Sequence, residues 1–148
     1  MKPVKVGICG LGTVGGGTFN VLQRNAVEIS RRAGRGIKVG HIASRHLSPG
    51  CDIGDTPVTD DVFAVVNNPE IDIIVELIGG STVAKEVVLQ AIANGKHVVT
   101  ANKALIAVHG NEIFQAASDK GVMVAFEASV AGGIPIIKAV REGLAANQ

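Results

Sequence analysis

Tryptophan and tyrosine are missing altogether, and four phenylalanines are the whole aromatic complement. Single-stranded nucleic acid is held largely by stacking bases on aromatic faces, so a platform of that kind is excluded. No sign of charge dominates either: 14 Lys and Arg stand against 13 Asp and Glu, a net charge of +1. The electrostatic footprint expected of a protein that binds a polyanion or an anionic membrane is therefore absent. The two cysteines, Cys9 and Cys51, are too few for a disulfide scaffold, and nothing points to an oxidising compartment. Cys9 falls in a predicted strand and is expected to be a small buried hydrophobe. No apolar run approaches the roughly 20 residues of a membrane span. The N-terminus carries Lys2 and then a short run broken by Lys5 and glycines, which is neither signal peptide nor anchor. The expected location is the cytoplasm, with no membrane and no nucleic acid among the partners.

What the sequence does hold is glycine, 19 residues of it, in a chain that is 47% hydrophobic. At 148 residues one domain, 1–148, is expected, burying about 70% of its extended surface. The run Val4-Lys5-Val6-Gly7-Ile8-Cys9 leads into Gly10-Leu11-Gly12-Thr13-Val14-Gly15, and a helix-compatible segment, 18–32, follows. Strand, tight turn and helix are the setting in which Gly-x-Gly-x-x-Gly reads as a dinucleotide-binding fingerprint. Gly10 permits the turn, Gly12 lets backbone approach a pyrophosphate, and Gly15 lets the helix pack on the strand. The helix N-terminus offers unpaired N–H groups to the phosphates.

Further along, 37–43 alternates as a second strand and 47–57 reads as loop, with Pro49, Gly50, Gly54 and Pro57 as breakers. Thr59-Asp60-Asp61 can cap a short helix through Val66. The nearly continuous apolar run 71–78 predicts a strand covered on both faces. Helix 83–94, strand 97–100, helix 104–119 and strand 122–126 follow. The second of these helices has Leu105, Val108, Ile113, Ala116 and Ala117 as its apolar positions, and Gly121 closes it. Residues 127–133 form a small-residue loop, and 134–146 a last helix with Pro135 in its first turn. Five strands alternating with helices call for an α/β fold, a doubly wound parallel sheet of the Rossmann type. Ligands of such sheets sit beyond the carboxyl ends of the strands. That singles out 10–15, Ser44-Arg45, Gly79-Gly80, Ala101-Asn102-Lys103 and 127–133.

A site that prefers NAD usually ends its second strand in a carboxylate, for the ribose hydroxyls. Here Ser44-Arg45-His46 stands there, and Arg45 suits a 2′-phosphate. NADP(H) is expected to be preferred, with NAD(H) accepted; the alternative is a solvated loop arginine. Lys103 opens a helix at its positive end, a disfavoured place for a cation. A broken local rule at the ligand edge marks a functional candidate, an ammonium that holds a carbonyl or passes a proton to an alkoxide. The alternative is a lysine reaching into water. Glu127 and the carbonyls of its loop offer oxygen ligands to a hard cation, although loop carbonyls usually face water. Glu76, inside an apolar strand, reads as a hydrogen-bonded structural carboxylate. His41, His46, His97 and His109 show no metal-ligand spacing.

Four stretches together resemble the nucleotide-binding domain of homoserine dehydrogenases. They are the glycine run Gly10 to Gly17, Glu76-Leu77-Ile78-Gly79-Gly80, the segment from Gly95 through Asn102-Lys103 to Ala107, and that from Phe126-Glu127 through Gly132-Gly133 to Ile137. The resemblance implies an oxidoreductase that interconverts L-homoserine and L-aspartate 4-semialdehyde with NAD(P)H, in threonine and methionine biosynthesis. It implies that Lys103 is catalytic and that Ile78, Gly79 and Thr100 lie along the cofactor. It also implies a monovalent cation, sodium, held by Glu127 with the backbone of Val130, Gly132 and Ile134. Members of the family continue into a substrate-binding domain that also supplies dimer contacts. Residues 134–148 are expected to lead toward such a domain, so this chain is expected to bind cofactor without turnover. A sugar-type oxidoreductase would show Glu-Lys-Pro in place of Asn102-Lys103-Ala104, and an acylating semialdehyde dehydrogenase needs a better-placed cysteine. A non-enzymatic NADP(H)-sensing module is the remaining alternative, and it gives Lys103 no purpose.

Overall fold

The structure, a computed structural model, describes residues 3–10, 31, 36–44 and 56–126. Six strands form one sheet: β1 (Val4–Cys9), β2 (Ile37–Ala43), β3 (Val58–Thr59), β4 (Ile73–Glu76), β5 (His97–Thr100) and β6 (Val124–Phe126). All pairs are parallel, and their order is β3-β2-β1-β4-β5-β6. Among the described residues, the helices that follow β3, β4 and β5 are α1 (Val62–Val66), α2 (Val83–Ala93) and α3 (Lys103–Lys120). This is the expected α/β, doubly wound parallel sheet. The helix read at 18–32, the loop at 127–133 and the helix at 134–146 lie outside the described residues.

Burial follows from the pattern of the strands. Every residue of β4 and β5 is buried, and so is all of β1 except Lys5. Cys9, Ile74 and Val98 share one face and pack against Val65 and Val66 of α1, Val87, Val88 and Ala91 of α2, and Leu105 and Ile113 of α3. Period-2 alternation puts Glu76 and Thr100 on that same face, at the last position of their strands. The register makes a row across the sheet at its carboxyl edge: Ala43, Cys9, Glu76, Thr100 and Phe126 stand side by side.

Local chemistry sets the helix ends. Asp61 is the N-cap of α1, its Oδ1 accepting from the Phe63 N–H at 2.9 Å. Asn102 caps α3 by accepting from the Leu105 N–H at 3.0 Å. Gly121 ends α3 at φ 78°, a left-handed position that a side chain resists. Lys96, buried at the opposite edge of the sheet, donates to the carbonyls of Asn68 and Ile71 at 2.7 Å each. Burial pulls its ammonium below the ordinary lysine range, and Asp72 partly opposes that.

Four expectations need correction. The sheet has six strands, because Val58–Thr59 adds a short edge strand where the pattern offered only loop and cap. It is held by the Ile42 N–H on Pro57 O and the Ser44 N–H on Thr59 O, both 2.9 Å. Thr59 thus belongs to β3, and Asp61 alone caps α1. The strand expected over 71–78 spans only Ile73–Glu76, because the Ile78 N–H turns to the Glu76 side chain instead of a neighbouring strand. Val108 is 65% exposed rather than packed. At about 100° per residue it lies roughly 140° round the helix from Ile113, the centre of the buried stripe.

Gly7 is required by packing. A Cβ there would come within 2.5 Å of Val65 Cγ1 and 3.1 Å of Ile71 Cγ2, so α1 rests directly on the β1 backbone. Gly7→Ala is expected to lower stability by about 1–3 kcal/mol through overpacking. Urea unfolding of the two proteins, compared at unchanged m-value, checks it.

Candidate functional site

The six strands run the same way, so their carboxyl ends open onto one edge, and a cavity lies there beyond β4 and β5. Its volume is about 300 Å³, and its lining is Glu76, Leu77, Ile78, Gly79, Ala101, Asn102 and Lys103. One wall is the turn after β4 and the other is the turn from β5 into α3.

Glu76 lies at the base of both. Its Oε2 accepts from the Ile78 N–H at 2.6 Å and its Oε1 from the Thr100 hydroxyl at 2.7 Å. Thr100 Oγ1 in turn accepts from the Asn102 N–H at 3.0 Å. The Asn102 side chain donates to the Gly80 carbonyl and accepts from Leu105, closing the span between the two walls. The carboxyl group is fully buried, and burial pushes its pKa above the ordinary glutamate value. The hydrogen bonds from Thr100, Ile78 and Asn102 pull the other way, because they favour the charged form. Cys9 is its neighbour in the row; burial, and then the Glu76 carboxylate, push the thiol up to about 12. That thiol stays protonated and inert, the buried hydrophobe its strand position predicted.

Lys103 is exposed on the cavity rim, at the first position of α3. The 18-residue helix presents its positive end to the same space. Gly79 lines the opposite wall, and a Cβ there would meet nothing within 4 Å. Gly10, just past β1, donates its N–H to the Ala43 carbonyl at 2.9 Å. The structure therefore brings Ile78, Gly79 and Lys103 around one cavity, whereas Thr100 is fully buried and stays off its lining. Leu11, Gly12, Thr13, Val14, Gly15, Arg45, Glu127, Val130, Gly132 and Ile134 lie outside the described residues. Among the described residues no group of three or more His, Cys, Asp or Glu converges as a metal site, and no helix is long and apolar enough to cross a membrane. His97, at the far end of β5, is buried, accepts from the Met123 N–H at 3.0 Å, and is held below the ordinary histidine range by burial.

Glu76 is the hydrogen-bonded carboxylate expected of its place in an apolar strand, and its link to Thr100, and through Thr100 to Asn102, is not apparent from the sequence. The available signal was that Glu76 and Thr100 are polar residues at the carboxyl ends of two buried strands.

A parallel sheet in this order, with a cavity beyond the carboxyl ends of its central strands, defines the dinucleotide-binding class of α/β proteins. The family model described as "Homoserine dehydrogenase, NAD binding domain" matches residues 10–127. The chain belongs to that family. The homoserine dehydrogenase of Pseudomonas aeruginosa is 75% identical over 148 residues, all of this chain and 34% of the relative. A solved homoserine dehydrogenase from Thiobacillus denitrificans superposes with a TM-score of 0.80 at 66% identity, over 99% of this chain and 34% of that one. One from S. aureus gives 0.76 at 36% identity, over 86% of this chain and 34% of that one. The chain thus spans about a third of the length of the relatives it matches.

The raised pKa of Glu76 has a consequence for stability. Between the ordinary glutamate pKa and the higher folded value, the native state binds more protons than the unfolded one, so stability falls as pH rises through that window. Glu76→Gln removes this term. Its stability relative to the parent is expected to improve as pH rises across the window, which denaturant titrations at a series of pH values measure.

Proposed function

We propose that the chain is the cofactor-binding part of a dehydrogenase that interconverts L-homoserine and L-aspartate 4-semialdehyde. The observation that carries this reading is the cavity beyond β4 and β5 with Lys103 on its rim, in a chain of this family. The residues fit a dinucleotide: Gly79 leaves its wall open, and a helix N-terminus and an ammonium face the space. Bound there, the nicotinamide supplies or accepts the hydride. Lys103 donates a hydrogen bond to the substrate oxygen and holds the proton that an alkoxide takes up on reduction. Ile78, Gly79 and Thr100 lie along the cofactor, and the glycine run Gly10, Leu11, Gly12, Thr13, Val14 and Gly15 receives the pyrophosphate.

Three finer assignments belong to the same proposal. Arg45 pairs with a 2′-phosphate and favours NADP(H) over NAD(H). Glu127, with the carbonyls of Val130, Gly132 and Ile134, holds a sodium ion. The protein works in the cytoplasm in threonine and methionine biosynthesis, as part of a homodimer or larger assembly. The relatives are named dehydrogenases, which favours an enzyme over a sensing module.

Because the chain spans about a third of its relatives, we place substrate binding on residues it does not carry. Calorimetry is expected to show that the 148-residue chain binds NADPH, while an absorbance assay shows no homoserine-dependent reduction of NADP. No heat with either coenzyme, or measurable turnover, overturns the reading. Arg45→Ala is expected to weaken NADPH about tenfold or more, the loss of one charge-assisted phosphate contact, and to leave NADH within about twofold. Parallel titrations of the two coenzymes check this, and an unchanged NADPH affinity removes the role of Arg45.

A further inference from the structure

We propose that Glu76 is the positioning residue of the cavity: by accepting the Ile78 N–H from one wall and the Thr100 hydroxyl from the other, it sets the distance between the two walls. This rests on the reading of the cavity as the dinucleotide site. The carboxyl group touches both walls at once, at 2.6 and 2.7 Å, and Thr100 relays the constraint to Asn102, the N-cap of α3. Lys103 follows that cap directly, so the place of the rim ammonium is tied to a carboxylate two strands' width inside the sheet edge. Glu76 reaches the ligand only through these groups.

Glu76 has little competition for its role in this neighbourhood. Among the described residues, the titratable or charged groups around it are the Cys9 thiol on β1, which stays neutral, and Lys103 on the rim. Asp61, capping α1, is exposed, and so is Glu86 in the first turn of α2. Lys85 of α2 and Glu112 of α3 pair with each other at 2.9 Å. A hydrogen bond to an ionised acceptor is about twice as strong as one to a neutral acceptor. The ionised carboxylate therefore grips both walls, and protonation loosens them. Burial places that protonation above the ordinary glutamate range. Affinity for dinucleotide accordingly falls as pH falls through the Glu76 titration.

The test is NADH binding to the 148-residue chain from pH 5.5 to 8.5, followed by cofactor fluorescence. NADH carries no 2′-phosphate, so the ligand adds no phosphate titration of its own in this range. The dissociation constant of the parent is expected to rise at least about threefold toward low pH, since protonation that weakens dinucleotide binding and dinucleotide that opposes protonation are one reciprocal coupling. Glu76→Gln, which keeps an oxygen acceptor and has no proton to lose, is expected to give a flat profile. Thr100→Val, which removes a bond favouring the charged form, is expected to move the midpoint to higher pH. Without ligand, the Ile78 amide resonance is expected to shift over the same range in the parent and not in Glu76→Gln. A parent profile that is flat, one that Glu76→Gln reproduces, or one that Thr100→Val leaves in place overturns the inference. Should Glu76→Gln fail to fold, the Thr100→Val midpoint and the parent Ile78 titration decide. If the parent binds neither NADH nor NADPH at any pH, the cofactor reading falls and this role with it; if a coenzyme binds but the Ile78 amide does not titrate, the role of Glu76 alone falls.

Discussion

Six strands run the same way through one sheet, and that single constraint places everything else. Parallel neighbours cannot be joined by a tight turn, so the chain must leave each strand at one edge and return to the other, using helices where it crosses. Every departure therefore gathers at the carboxyl edge. The turns at 77–80 and 101–102, distant in sequence, become opposite walls of one cavity. The crossing helices cover the sheet, which is why β4 and β5 have no exposed residue and carry so little polarity.

Within β4 and β5 the polar residues stand at the strand ends, His97 at the start of β5 and Glu76 and Thr100 at the carboxyl edge. Glu76 and Thr100 face each other across the β4–β5 pair and bond to one another rather than to solvent. A buried carboxyl group is tolerable only if its oxygens find donors, and here both do. The same bonds that satisfy Glu76 shape the turns that follow, diverting the Ile78 N–H from the ladder and holding Asn102 where it caps α3. The electrostatic cost of burial and the geometry of the cavity thus have one origin.

Much of this architecture was legible from residue patterns. The strand at 37–43 and that at 97–100 match their runs, and Asp61, Gly95 and Gly121 punctuate the helices as their chemistry requires. The edge strand β3 was not legible, since two residues carry no periodicity and are held by backbone bonds to β2. Val108 misled because an apolar residue near the right spacing is not distinguishable from a packed one until the partner surface is known. Gly7 gave no local sign of the helix lying on it, because that contact comes from Val65, 58 positions along the chain.

The order of residues alone determined that this is a parallel α/β protein with a glycine turn after its first strand and a lysine opening a late helix. Hydrophobic runs and helix caps are local, so their consequences can be read locally. Only the tertiary structure decided that Glu76 and Thr100, 24 residues apart, share a hydrogen bond, and that Ile78, Gly79, Asn102 and Lys103 enclose a common space. Strand order and register settle which polar ends meet. Those are properties of the assembled sheet, fixed by the packing of helices against both of its neighbours in space and carried by no single segment.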